Sequence, residues 1–316
     1  MTSTTIIGML LACAAVTVAT FSGWLLTFIA VRLYGGSWPA AAVPRARVLA
    51  FVRLLPLSSV AVLVPAQVIA FARHEGGGAE SVGALLACVA GVGTLLLSDV
   101  VRRVLITAHR TGGIVRRWKG DAEAIAVRHW SGAAWSIAGA QPVVAVAGVI
   151  RPQLFIHRQV IEQCSGAELA AIAAHESAHV AAADNLVRWL FRLTPGASWF
   201  ACIAQPLEAS WAAAAEQAAD GSASSLTSAV ELASALTKVA RLGVSLAPDR
   251  AVASTLISDN NLRDRVHRLL ASPSVRPERT NWSPLLMAFV ATFTVLVTSP
   301  ASATLHRLFE LLVHHP

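Results

Sequence analysis

Charge is what this sequence has least of. Only 14% of its 316 residues are charged, while 55% are hydrophobic; soluble globular domains carry about 25% charged residues. With a mean hydropathy of +0.60, the chain has more apolar surface than a water-soluble core of this size can hide. That excludes an ordinary soluble enzyme and points to a bilayer. Cysteine is scarce as well: Cys13, Cys88, Cys164 and Cys202 are scattered, with no CxxC spacing. This excludes a disulfide framework or a thiolate metal site and leaves all four as small buried hydrophobes. A basic stretch ahead of the first apolar run is missing too. That run, Ile6 to Val31, is 26 residues without a charge, longer than the about 7–15 residues of a signal-peptide core, so a retained spanning helix is expected. No internal repeat is found.

What is present begins with four segments apolar and long enough to span: Ile6–Val31, Leu54–Phe71, Ser81–Leu97 and Leu285–Leu305. Pro56 and Pro65 predict a kink in the second, and Gly83, Gly91 and Gly93 permit close helix packing in the third. The connections orient the bundle. Arg32, Arg45, Arg47 and Arg53 stand between the first two spans without an acid, and Arg102, Arg103, Arg110, Arg116, Arg117 and Lys119 follow the third. By the positive-inside rule these connections face the cytoplasm and both termini face outward. The net charge of +7 and the pI near 10.2 are therefore read as retained arginine, and no direct nucleic-acid binding is expected. The run 102–119 is taken as a topology anchor rather than a nucleic-acid or anionic-lipid patch.

From about residue 124 to 157 the pattern shortens into β-prone stretches, Ala124–Trp130, Trp135–Ile137, Pro142–Val149 and Gln153–His157, broken by glycine and proline. A small antiparallel sheet is expected. Helix follows to about Leu270, and Pro273 and Pro277 mark a linker into the last span.

Ser165-Gly-Ala-Glu168 is a capping box that starts a helix at Gly166 and runs it through His175-Glu176-Ser177-Ala178-His179. Histidines four apart share one helix face, so both imidazoles can reach one zinc ion. Glu176 sits beside the open coordination position, where it can take a proton from water. A third ligand is needed. Glu216 is preferred, with Asp220 one turn on to hydrogen-bond a ligand histidine; Glu208, Asp184 and Glu168 are its rivals. Were Leu186–Leu207 to cross the membrane once, Glu216 would lie on the wrong side from His175 and His179. The segment is therefore expected to be a membrane-associated hairpin turned at Pro195-Gly196, with Arg188 and Arg192 snorkelling. His267 reads as part of a basic helix face, His314 and His315 as a tail, and Trp38, Trp118, Trp189 and Trp282 as interface anchors.

These motifs resemble the BlaR1/MecR1-like family of membrane metallopeptidases (M56) and, more distantly, the HtpX/Ste24-type (M48) membrane peptidases. The resemblance rests on HESAH at 175–179, Asp184 five residues later, ExxAD from Glu216 to Asp220, the arginine-rich helix Arg263–Leu270, and spans before and after. It implies a zinc endopeptidase facing the cytoplasm of a bacterial plasma membrane, with His175, His179 and Glu216 as ligands, Glu176 as base and Asp220 supporting. The small sheet is expected to offer an edge strand on which an extended substrate pairs. The stretch Val180-Ala-Ala-Ala-Asp184 lacks the basic residues often found there, and only 11 residues follow Leu305, so a sensor domain is not expected.

The expected fold is a predominantly α-helical integral membrane protein with four transmembrane helices and a cytoplasmic zincin-like α+β domain between the third and fourth. Residues 1–100 form the three-helix region. Residues 101–280 form the protease domain, with the sheet at 124–157, active-site helices at 166–183 and 207–223, and the hairpin at 186–207. Residues 281–316 hold the last helix and tail. The expected partners are the bilayer and a protein substrate, with a transcriptional repressor and a membrane protein as candidates. A non-catalytic sensor or adaptor of the same fold is the competing reading; the intact ligand set and base argue against it.

Overall fold

The computed structural model describes residues 3–74, 83–138, 144–242, 253–255, 262–271, 303–304 and 307–309. Three long helices come first: α1 (Ser3–Tyr34), α2 (Ala42–His74) and α3 (Ala84–Gly120). All three are long and apolar enough to cross a membrane. Apolar side chains facing outward all round, such as Leu25, Leu33, Leu95 and Leu105, are what a lipid-facing surface requires. The helices meet at two close approaches. A Cβ on Gly23 would stand 2.4 Å from Pro56 Cα, and one on Gly93 would stand 1.9 Å from Cys13 O, so α1–α2 and α1–α3 contact at glycine. Of the expected packing glycines Gly93 makes such a contact, whereas Gly91 faces open space.

Several expectations change here. α2 begins at Ala42 rather than near Leu54 and carries both prolines inside it. Arg45, Arg47 and Arg53 are not loop charges but belong to α2, leaving only a short connection after Tyr34. α3 does not stop near Leu97; it runs on through the whole basic stretch to Gly120. At 37 residues it is about 55 Å long. Its far end packs on the sheet, with Trp118 against Phe155 at 5.2 Å between ring centroids. Trp118 is thus part of a protein contact.

The sheet has five strands in the order β1-β2-β4-β3-β5: β1 (Glu123–Ile125), β2 (Ala134–Ile137), β3 (Val144–Ala147), β4 (Gln153–His157) and β5 (Ala253–Thr255). It is mixed rather than antiparallel, because β2 and β4 run parallel while the other pairs are antiparallel. The expected strand 124–130 shrinks to β1, and residues 126–133 form a loop. β5 comes from far along the chain, where short-range patterning gives no sign of it. The β3–β4 turn needs Gly148, which has φ +106 and whose Cβ would lie 2.7 Å from Arg151 O.

Alternation places Val144 and Val146 on one face and Ala145 and Ala147 on the other. The first face packs under α5 (Gly166–Ala181) and α8 (Ala229–Arg241), through Ala171, Ile172, Leu232 and Leu236. The second is covered by the end of α3. α4 (Arg158–Gln163), α6 (Asp184–Leu193), α7 (Ala201–Leu226) and α9 (Leu262–Ala271) complete the numbered elements.

Segment 186–207 doubles back. α6 ends at Leu193, the chain turns through Thr194–Phe200 with Gly196 at φ +70, and α7 begins at Ala201 with Pro206 inside it. The tip of this hairpin docks among the long helices. Trp24 Nε1 donates to Pro195 O at 2.9 Å, and Trp24 stacks on Phe200. The four cysteines are free thiols, with Cys88 and Cys202 exposed rather than buried. The expected span 285–305 falls outside the described residues apart from 303–304, as do Pro273, Pro277, Trp282, His314 and His315. Phe309 is buried against Ile7, Leu11 and Leu86, so the chain is back at the end of the bundle where α1 starts.

Candidate metal centre

α5 begins at the capping box read from the sequence. Ser165 Oγ accepts from Glu168 N at 3.2 Å and Ser165 N donates to Glu168 Oε2 at 2.7 Å. Glu168 also accepts from Ser234 Oγ and Lys238 Nζ, so it is fully engaged at the start of the helix. The hydrogen bonds from Lys238 and Ser234 hold its carboxyl below the usual range in spite of burial. Three turns on, His175, Glu176 and His179 are all buried.

The histidines present their Nε2 atoms to each other at 3.1 Å. Opposite them stands the Glu216 carboxylate of α7, 3.5 Å from His175 Nε2 and 3.6 Å from His179 Nε2. Zinc bonds of about 2.0–2.1 Å place tetrahedral ligand atoms about 3.3 Å apart, so this donor set has the spacing of zinc ligands. His175, His179 and Glu216 form a buried group able to hold a metal, their ligand atoms all within 4.8 Å.

Behind the ring nitrogens that face the centre, a carboxylate stands beside each Nδ1. Asp220 Oδ1 lies 3.1 Å from His175 Nδ1, and Asp184 Oδ2 lies 2.6 Å from His179 Nδ1. Such partners fix the tautomer and the ring plane and make each imidazole a better donor to metal. Asp184 comes into reach because α5 stops at Ala181 and Ala183 takes a left-handed φ of 59, turning the chain back by one tight step.

Arg265 of α9 closes the other side. It is buried, donating to Asp220 from Nε at 2.9 Å and from Nη2 at 2.7 Å, while Nη1 stands 3.1 Å from Glu216 Oε2. Electrostatics follow from this arrangement. Burial alone would push His175 down, but the Asp220 and Glu216 carboxylates hold it up at about 9 in the metal-free protein. Burial would raise Glu216, yet His179, His175 and Arg265 bring it down to about 2. Asp220 is lowered further, chiefly by Arg265 against its own burial. For Arg265 the burial penalty is outweighed by Asp220 and Glu216, and its pKa rises.

The rival ligands are engaged elsewhere: Glu168 at the helix cap, Asp184 behind His179, and Glu208 on Arg53 at 2.6 Å. Two residues at the centre were not assigned these places by sequence reasoning. From the sequence Asp184 reads only as a rival ligand, five residues past the second histidine. Arg265 sat in an arginine-rich helix with three other arginine or histidine side chains, and nothing in spacing singles it out. His267 on the same helix is exposed.

A cavity of about 620 Å³ lies between the β1–β2 loop and α5, lined by Trp130, Trp135, Ser177 and Val180 among others. Ser177 and Val180 occupy the face of α5 turned away from His175 and His179, so this cavity is not the metal cleft.

The model of peptidase family M48 matches residues 122–302, more than half of the chain. Searches of curated proteins and of solved structures returned no match. Of the two resemblances drawn from the sequence, the one expected to be more distant is the one this match supports. The matched region contains the whole histidine–carboxylate group, and the chain belongs to peptidase family M48, a family of zinc metallopeptidases that hydrolyse peptide bonds.

Proposed function

We propose that this protein is a membrane-embedded zinc endopeptidase that cuts a protein substrate at the cytoplasmic membrane face. The observation that carries this reading is the convergence of His175 Nε2, His179 Nε2 and the Glu216 carboxylate at zinc-ligand spacing, with an acid beside each Nδ1.

In this reading His175, His179 and Glu216 hold the metal. Zinc, when bound, supplies Lewis acidity toward a peptide carbonyl and lowers the pKa of water. The chain's own residues do the rest. Asp220 and Asp184 keep the two imidazoles oriented with Nε2 toward the metal. Glu176, buried next to His175, takes the proton from the attacking water and delivers it to the leaving amine nitrogen. Arg265 offsets part of the negative charge of Glu216 and Asp220, which eases the burial of two neighbouring carboxylates.

The cytoplasmic placement is supported by Arg45 and Arg47 near the start of α2 and by Arg116, Arg117 and Lys119 at the end of α3, which belong to the same end of the bundle. A fourth crossing is supported by Phe309, which packs at the opposite end beside Ile7 and Leu86. Both termini then face outward. A transcriptional repressor and a membrane protein remain the candidate substrates, in a bacterial plasma membrane.

The deciding experiment replaces Glu176 with Gln in the full-length protein. Zinc should stay at one per chain while proteolysis falls by about 10²–10⁴-fold; a variant that cleaves at the wild-type rate removes Glu176 as the base.

A further inference from the structure

The metal centre is supplied by two different scaffolds. His175, Glu176 and His179 lie on α5, which packs on the sheet and α8. The carboxylates placed beside the two imidazoles, Asp184, Glu216 and Asp220, lie on the α6–α7 hairpin. That hairpin is held by the membrane helices, and each of the three contributes.

From α1 comes Trp24, whose Nε1 donates to Pro195 O. From α3 comes Arg103, which donates to Arg192 O at 2.8 Å and Thr194 O at 2.9 Å, so the last carbonyls of α6 are capped by a cation. Asp99 holds Arg103 and accepts from Ser198 Oγ in the turn. From α2 comes Arg53, fully buried, which donates to Glu208 Oε1 from Nε at 2.9 Å and Nη2 at 2.6 Å. The same guanidinium lies 5.1 Å from the ring centres of Trp24 and Phe191, and Phe191 packs edge-on against Trp211 of α7. Arg53 therefore touches α1, α6 and α7 at once.

The depth of this contact matters. Trp24 is eight residues before Arg32, the first charge of α1, or about 12 Å along the helix. The clasp is therefore within the level of the apolar segments, where an unpaired charge is costly and a paired one holds its geometry. Glu208 precedes Glu216 by eight residues on the same helix, again about 12 Å. Whatever fixes Glu208 fixes the height and rotation of the helix that presents Glu216 and Asp220.

We propose that Arg53 and Glu208 are positioning residues for the metal centre: their ion pair, made where α2 meets α7, sets α7 so that Glu216 meets His175 and His179. This rests on Glu216 being the third ligand. The bundle is then part of the catalytic scaffold, and displacement of α2 against α7 is felt at the metal.

The test uses the full-length protein in lipid nanodiscs. Zinc affinity is read by chelator competition, kcat and KM on a peptide substrate, coordination geometry by the visible absorption of the cobalt-substituted form, and folding by the melting midpoint. Glu208→Gln and Arg53→Met should each weaken zinc binding about tenfold, lower kcat with KM little changed and alter the cobalt spectrum, while the melting midpoint moves by only a few degrees. Glu208→Asp, which keeps the charge but shortens the reach, should recover part of the zinc affinity lost in Glu208→Gln, and the Arg53→Met/Glu208→Gln pair should be no worse than the weaker single variant. Unchanged affinity, kcat and cobalt spectrum in both single variants would overturn the proposal. So would losses that track the melting midpoint and vanish on cooling, since those report packing alone. Glu216→Gln separates the two readings: if it loses zinc while Glu208→Gln does not, the positioning role fails alone, and if it binds zinc normally, the ligand assignment itself fails.

Discussion

The two halves of the candidate metal centre are built on opposite principles. The α5 half is a soluble-protein solution: a capped helix laid on a sheet, with Ala171 and Ile172 pressed against Val144, Val146 and Leu232. Its two histidines are brought to one side by helix geometry, since residues four apart must share a face. The hairpin half is a membrane-protein solution, held by Trp24, Arg53, Asp99 and Arg103 from three different helices. Its carboxylates are fixed by side-chain pairs, which tolerate less change. The comparison teaches that spacing along the chain can specify donors on one element, whereas bringing a second element to them takes long-range polar contacts.

The sharpest way to break the hairpin half is to remove Arg265. Arg265→Ala leaves Glu216 and Asp220 buried without their cation, and losing one partner of such a group costs about 3–5 kcal/mol. Because zinc supplies the missing positive charge, the loss in melting midpoint should be larger in the metal-free protein than in the zinc-loaded one; equal losses in both would show that Arg265 acts by packing only.

Next comes the joint between the halves. Asp184→Ala removes the acid beside His179 Nδ1, and loss of such a partner lowers metal affinity by about 10–100-fold. Chelator competition measures it, and an affinity within twofold of wild type would mean that α5 alone orients the ring.

A smaller, graded probe is pH. His175 is raised above its ordinary value of 6.5 to about 9 in the metal-free protein, and it must lose that proton to bind metal. Apparent zinc affinity should therefore rise about tenfold per pH unit from near 7 to about 9 and then level off. The sign for folding is opposite. A group with a raised folded-state pKa stabilises below its unfolded value and loses that contribution as pH climbs through the folded one. Metal-free stability should thus decline across the same window that strengthens zinc binding. Glu216, lowered from 4.5 to about 2, works the other way: its stabilisation is present above its ordinary value and fades as pH falls toward about 2.

The smallest effect belongs to the α5 half. Ser165→Ala removes one side-chain hydrogen bond of the capping box and should cost about 1 kcal/mol in the unfolding free energy, with zinc affinity unaltered. A change in affinity instead would mean that the start of α5 is coupled to the histidines three turns away.

How far these halves could be read in advance follows the same division. The start of α5 at Ser165, the pairing of His175 with His179 and the reversal at Pro195-Gly196 are local, and local chemistry dictates them. The third acid at Glu216 was reachable by elimination, because alanine-rich surroundings leave few roles for a charge. Arg53 reads as a loop charge because hydropathy treats an arginine as the end of a span; what permits it inside α2 is Glu208, 155 residues away. Arg265, β5 and the parallel β2–β4 pair were out of reach for the same reason. Each depends on a partner that no short window contains.

α3 carries a consequence of another kind. It is a single 37-residue helix from the bundle to the sheet, with no hinge between lipid and β-strands. Bilayers of different thickness tilt such helices, and a tilt of about 10° swings the far end of a helix this long by about 10 Å. The lipid composition around α1–α3 thereby becomes a mechanical setting: a lever arm that sets how far from the membrane surface, and at what angle, the cleft meets the chain it cuts.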